Sequence, residues 1–226
     1  MDQIAANLAD IHAKIRAACA KAGRVESEVT LIAVTKTFSA DLVRDAFDAG
    51  QRDVGENRLQ EAESKISLLP ASLRWHYIGQ LQRNKVRKVL PLFTMIHSID
   101  SLRLAQYTNE VARELGLFPQ VFLQVNHAGE ESKAGFPVED LRASWETLMQ
   151  LDRLEIVGLM SVPPPVDDPE KSRPWFAALR ELRDQLSTET NTPLPYLSMG
   201  MSSDYTVAIE EGATHVRVGS AVFGKR

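Results

Sequence analysis

The sequence predicts an α/β chain that closes into a single (β/α)8 TIM barrel, preceded by an extra helix. Short apolar runs alternate with helical patterns almost to the end of the chain, the order that builds βαβ units and a parallel sheet. The runs are continuously apolar, as strands covered on both faces are. Eight of them fit within 226 residues, which suits a closed barrel better than the competing open, doubly wound sheet. No break in composition and no long linker divides the chain, so residues 1–226 are expected to form one domain.

An amphipathic helix over 3–21 comes first. The first strand, 29–36, carries the apolar run from Leu31 to Val34 and stops on the cation Lys36; Ser39 then opens a helical pattern over 40–49. Further strands are expected at 53–57, 74–79, 94–100, 120–126, 154–162, 196–200 and 216–223. Helical segments lie between them at 59–69, 84–90, 102–115, 138–151, 174–186 and 205–211, joined by turns marked with Gly or Pro. The Pro-rich stretch 163–169 follows a strand and precedes a helix, so it reads as a βα loop.

Composition removes several classes of function. With 44% hydrophobic and 25% charged residues the chain can bury a sizeable core. A formal charge of −4 and a pI near 5.8 give no global basic field for nucleic acid or anionic lipid. Cys19 is the sole cysteine, which excludes an internal disulfide and a cysteine-built zinc site. The amino terminus carries acids where a signal peptide carries Lys or Arg, and no window approaches the apolar length of a membrane span, so a cytoplasmic location is expected. His12, His76, His97, His127 and His215 form no metal-type i, i+4 pair, and strand or helix packing is the expected role for most of them. Neither HExxH, GxGxxG nor a Walker-type GxxxxGK(S/T) occurs, and Trp75, Trp145 and Trp175 are too dispersed for a base-stacking platform.

In a (β/α)8 barrel the active site lies at the carboxyl ends of the strands. Lys36 is the candidate nucleophile there, because burial of an amine in a cleft disfavours the ammonium and favours the form that attacks carbonyls. Ser198, Met199, Gly200 and Ser202 lead from the seventh strand into a helix opening at Ser202 or Ser203, with hydroxyls and N–H groups suited to an anion. Gly219 and Ser220 follow at the end of the chain, and loops after strands seven and eight of such barrels frequently hold a phosphate. The plainer alternative makes Ser202 a helix cap and Gly219 a packing glycine. A strand-end lysine opposite a phosphate cup describes a pyridoxal 5′-phosphate site, with the aldehyde held as a Schiff base. Arg217 lies between the two, facing the pyridine nitrogen or serving as an ordinary ion-pair arginine.

Segments that match a known group run in order along the chain: Ala33-Val-Thr-Lys-Thr37, Gly55-Glu-Asn57, Trp75 to Lys85, His97-Ser-Ile-Asp100, Ser132-Lys-Ala-Gly135, Gly158-Leu-Met160, Leu197 to Ser202, and Val216 to Gly224. With them the sequence resembles the YggS/PROSC group of pyridoxal phosphate homeostasis proteins, related in fold to the barrel domain of alanine racemase. The resemblance implies pyridoxal phosphate on Lys36, its phosphate held by Ser198–Ser202 and by Gly219 with Ser220, Arg217 near the ring nitrogen, and Asn57 approaching from the second strand. Members often carry a second lysine two residues after the first, where this chain has Phe38; Ser220 stands where threonine is common.

Racemisation would need a second acid/base group opposite the lysine. In the racemases that group comes from an added carboxy-terminal domain, whereas this sequence stops at Arg226. An arginine against the pyridine nitrogen also makes the ring a weaker electron sink. The expectation is a monomeric, non-catalytic protein, without metal, that holds pyridoxal phosphate and buffers it or delivers it to apo-enzymes. A racemase-like enzyme acting on amino acids is the alternative, and a barrel binding phosphate-sugars or nucleotides without a Schiff base is a third reading. The basic cluster Arg83, Lys85, Arg87 and Lys88 reads as a solvated helix face, a docking surface for acidic partners or a second phosphate ligand. Lys133 reads as an exposed loop lysine or a further transient attachment site.

Overall fold

Eight parallel strands join edge to edge in chain order and close on themselves. The computed structural model describes residues 2–127 and 134–224. The strands are β1 (Thr30–Val34), β2 (Asp53–Glu56), β3 (Arg74–Tyr77), β4 (Met95–Ile99), β5 (Gln120–Gln124), β6 (Glu155–Met160), β7 (Tyr196–Met201) and β8 (His215–Val218). All eight expected strands are present, and most end before their expected last residue because the mouth residues leave the ladder. The closing pair is β1 with β8, in register from Thr30 opposite His215 to Ala33 opposite Val218.

The helices are α1 (Asp2–Lys21), α2 (Ala40–Asp48), α3 (Leu59–Ile66), α4 (Val86–Val89), α5 (Leu102–Leu115), α6 (Val138–Met149), α7 (Arg173–Thr190), α8 (Tyr205–Glu210) and α9 (Ser220–Phe223). Ser39 and Ser101 cap α2 and α5, their hydroxyls accepting from Leu42 N at 3.5 Å and Leu104 N at 3.3 Å. Three expectations need correction. The eighth strand stops at Val218, because Val222 and Phe223 N–H groups turn back to Gly219 O at 2.9 and 3.1 Å and form α9. Of the two starts expected for the helix after the seventh strand, residue 205 is the one observed and Ser202 or Ser203 is not, since Asp204 stands at its cap and its carboxylate accepts from Met201 N at 2.7 Å, drawing the intervening residues into a turn. The helix expected over 84–90 begins as a 3₁₀ turn, Arg83–Lys85, that runs into α4.

α1 buries Ile4, Leu8, Ile11 and Ile15 along one stripe and lies against α2, α8 and α9. Asn7 Nδ2 donates to Val222 O at 2.8 Å, so the extra helix covers the seam where the barrel closes. Most of the core lies between sheet and helices. A separate cluster, Met95, Phe122, Val157 and Met160, fills the interior, where Phe122 meets His97 at 4.4 Å and His215 at 5.3 Å between ring centroids. Those rings come from strands that are not all neighbours, so the contacts cross the barrel. Among the described residues no helix is long and apolar enough to span a membrane, and no group of His, Cys, Asp or Glu could hold a metal ion.

Gly158 shows how tightly the strands approach: a Cβ there would lie 1.8 Å from Tyr196 O on β7. Gly158→Ala is expected to destabilise the barrel by about 2 kcal/mol or more, read as a lower urea midpoint in circular dichroism.

Candidate functional site

An open cavity of about 680 Å³ lies at the carboxyl mouth of the barrel, within the roughly 300–1,000 Å³ usual for small-molecule sites. It brings together Lys36, Asn57, Ser202, Arg217, Gly219 and Ser220 from four strand ends. Ser198, Met199 and Gly200 do not line it. Met199 packs into the outer core, Gly200 lies against Tyr205 and Ala208, and the Ser198 side chain is fully buried beneath Arg217. Val34, Ile78, Val162 and Met201 also line the cavity, and the sequence does not single them out because apolar residues at strand ends look like core; Ser203, beside Ser202, lines it too.

Lys36 sits two residues beyond β1 in a turn pinned on both sides. Thr37 takes φ 68°, a left-handed conformation that costs a β-branched residue about 1–3 kcal/mol. Its N–H donates to Glu61 Oε2 at 2.7 Å. On the other side, Thr35 O accepts from Lys65 Nζ at 2.7 Å, and Thr35 Oγ1 donates to Glu56 Oε1 at 2.8 Å. Lys65 in turn pairs with the fully buried Glu56 at 2.5 Å. Among the described residues, the Lys36 amine itself has no hydrogen-bond or ion-pair partner. Phe38 packs on Phe223 with ring centroids 4.8 Å apart, tying the loop after β1 to α9.

Asn57 is held close to the mouth of β3, where a Cβ on Gly79 would lie 2.1 Å from Asn57 O, so only glycine fits. Its Oδ1 is buried without a hydrogen-bond partner, as is Ser161 Oγ. Across the mouth, Gly219 N donates to Ser202 Oγ at 3.1 Å, joining the rims after β7 and β8. Arg217 is buried; its Nη1 donates to Ser198 Oγ at 2.6 Å and its Nη2 to Ser161 O at 2.9 Å. Burial lowers its pKa to about 10, against the opposing pull of the Asp204 carboxylate, so it stays a cation at neutral pH.

Below Arg217 a column of polar side chains runs through the barrel. Ser198 Oγ lies 2.8 Å from His97 Nδ1, His97 Nε2 lies 3.0 Å from His76 Nδ1, and His76 Nε2 lies 3.1 Å from Asp53 Oδ1. Arg74 Nε donates to Asp53 at 2.7 Å. Burial, then the nearby His76, His215 and Arg217, pushes His97 well below the ordinary histidine range. His215 is lowered to about 3, chiefly by burial. Burial would raise Asp53, but hydrogen bonds from His76 and Arg74 prevail and hold it at about 2.

Arg83, Arg87 and Lys88 of the basic cluster are exposed; the Arg83 guanidinium stacks 4.6 Å from the Tyr107 ring, and Arg87 pairs with Glu114. Lys133 lies outside the described residues.

The sequence profile of the alanine racemase N-terminal domain matches residues 6–226. A Pseudomonas aeruginosa protein named pyridoxal phosphate homeostasis protein is 47% identical over 228 residues, covering 100% of this chain and 97% of that one. The Aquifex aeolicus protein of the same name is 42% identical over 214 residues, 94% of each chain. The structure of PipY from Synechococcus elongatus with PLP bound is 40% identical, with a TM-score of 0.87 over 98% of this chain and 100% of that one.

His97 and His215, both held low by burial, give the fold an acid dependence of definite sign. The His215 pKa in the folded barrel, about 3, lies below its unfolded value, so the unfolded chain takes up the proton first. This part of the stability is complete above about pH 6.5 and is lost as pH falls toward about 3. Urea unfolding across that range is expected to show the decline, and His215→Phe, which keeps a ring against Phe122 and Tyr196, is expected to flatten it.

Proposed function

The chain belongs to the family of pyridoxal phosphate homeostasis proteins, built on the alanine racemase N-terminal domain, and we propose that it holds pyridoxal 5′-phosphate on Lys36 and releases it again. In this reading it is a cytoplasmic, monomeric store of the cofactor that supplies apo-enzymes, rather than an enzyme that uses it. Bound pyridoxal phosphate supplies an aldehyde that condenses reversibly with a primary amine, losing water, together with an anionic phosphate and a pyridine nitrogen.

The residues at the mouth fit that group. Lys36 offers an amine with no partner among the described residues, on a turn stiffened by Glu56, Glu61 and Lys65. Asn57 Oδ1, a buried acceptor left unmatched, suits a donor on the ligand. Ser202, Gly219 and Ser220 supply the small polar rim for the phosphate. Arg217 brings a cation on the same wall, while Ser198, Met199 and Gly200 would support the rim from beneath.

One observation favours holding over turnover. Among the described residues lining the cavity, Lys36 and Arg217 are the only ionisable side chains. Racemisation requires a proton removed on one face and returned on the other by a second group, and a guanidinium is a poor base. Ser203 and Ser220 are exposed and Lys36 is only half-buried, so water or an incoming amine can reach the attachment point and release the cofactor.

Titration with pyridoxal phosphate is expected to produce a visible band at about 420 nm in the wild type and none in Lys36→Ala. No band in the wild type would overturn the cofactor assignment. Racemisation or decarboxylation of any member of a panel of L- and D-amino acids, lost in Lys36→Ala, would overturn the carrier reading.

A further inference from the structure

The direction of the polar column beneath Arg217 follows from the chemistry of its members. A guanidinium only donates, so Arg217 Nη1 gives its hydrogen to Ser198 Oγ at 2.6 Å. A carboxylate only accepts, so at the far end Asp53 Oδ1 receives the Nε2–H of His76 at 3.1 Å. An uncharged imidazole carries one N–H. With His76 and His97 both uncharged, His76 Nδ1 accepts from His97 Nε2 at 3.0 Å, and His97 Nδ1 accepts the Ser198 hydroxyl at 2.8 Å. His97, fully buried and stacked on Phe122 at 4.4 Å, sits in surroundings that favour the neutral ring. Each group between the ends donates once and accepts once, in one sense, from the mouth down to the first residue of β2.

We propose that Ser198, His97, His76 and Asp53 are positioning residues for Arg217, a one-way hydrogen-bond chain that makes Ser198 Oγ an acceptor and sets the guanidinium in the cavity wall. The chain draws the Ser198 hydrogen onto His97, away from the cation. Ser161 O, accepting at 2.9 Å, completes the seat. The role of Arg217 toward a ligand rests on the pyridoxal phosphate reading; the order of the hydrogens does not.

The same chain carries a charge change at its far end to the mouth. A second proton on His76 would make it donate through both nitrogens. His97 would then accept at Nε2 and donate from Nδ1, and Ser198 Oγ would accept twice, its own hydrogen displaced from the chain. The charged and titratable groups facing His76 are Asp53 on β2, Arg74 on its own strand, His97 on β4 and His215 on β8, with Arg217 beyond Ser198.

Two measurements test this. In protein labelled with ¹⁵N-histidine and given no ligand, long-range ¹H–¹⁵N spectra at neutral pH are expected to show His76 and His97 both as the Nε2–H tautomer. An Nδ1–H tautomer or an imidazolium at either residue would overturn the order. With pyridoxal phosphate added, the pH midpoint of the visible band is then compared in the wild type, Asp53→Asn, Ser198→Ala and the double variant. Asp53 does not line the cavity, yet Asp53→Asn is expected to move the midpoint by about half a unit or more and to add nothing once Ser198→Ala has cut the chain. An unmoved midpoint in Asp53→Asn, or equal shifts in both backgrounds, would overturn the positioning role. Should Asp53→Asn fail to fold, His97→Gln enters the same cycle in its place. Absence of a band in the wild type would refute the cofactor reading instead, while the tautomers still decide the chain's order.

Discussion

Pairing of β8 against β1 places Ile32 opposite Arg217 and Ala33 opposite Val218, and the site depends on that closure. The two strands lie at opposite ends of the sequence, yet they end side by side, so Lys36 and the Gly219–Ser220 rim face one cavity. α1 and α9 cover the seam, held by Asn7 on Val222 O. Beside it, Lys65 and Glu56 do for the Lys36 turn what closure does for the barrel. A buried ion pair recovers its desolvation cost only with good geometry and further hydrogen bonds, and here the same two side chains also hold Thr35. The strained Thr37 beside it is tolerated because Glu61 takes its N–H.

The barrel interior is unusual in its polarity. Branched apolar side chains dominate such interiors, but here His76, His97, His215, Ser198 and Arg217 share the space with Phe122 and Met160. Each buried polar group must find a partner or cost free energy, and the column from Arg217 to Asp53 satisfies its members in sequence. Among the described residues no carboxylate bonds Arg217 directly, and Ser198 Oγ and Ser161 O hold the cation in the cavity wall instead. The arrangement joins a mouth able to hold an anionic aldehyde to a support that crosses the whole fold.

Much of this was legible in the sequence, for physical reasons that also mark where legibility ended. Strands covered on both faces read as unbroken apolar runs, which is why all eight were found. The same feature hid the end of β8, since Ala221, Val222 and Phe223 prolong the apolar run as a helix, an ambiguity short runs always carry. Lys36, Asn57, Ser202, Arg217, Gly219 and Ser220 stood out because strand ends in a barrel converge. Ser198 and Met199 were grouped with them, although consecutive strand residues face opposite sides; one supports Arg217 and the other joins the outer core. Lys65 lies in a helical segment like any other surface cation, and nothing in its spacing reveals the buried Glu56 as its partner. His76 and His97 lie on the neighbouring strands β3 and β4 and His215 on β8, with no shared spacing, so only closure brings all three together.

The attachment of pyridoxal phosphate to Lys36 is tested most directly by trapping it. Protein loaded with the cofactor is reduced with borohydride, digested and mapped by mass spectrometry, which converts a reversible bond into a stable mark on one lysine. The expected result is a pyridoxyl phosphate adduct on the peptide carrying Lys36 and on no other. An adduct on Lys65 or Lys133 in its place, or an unmodified Lys36 peptide from protein that retains the cofactor, would contradict the central claim.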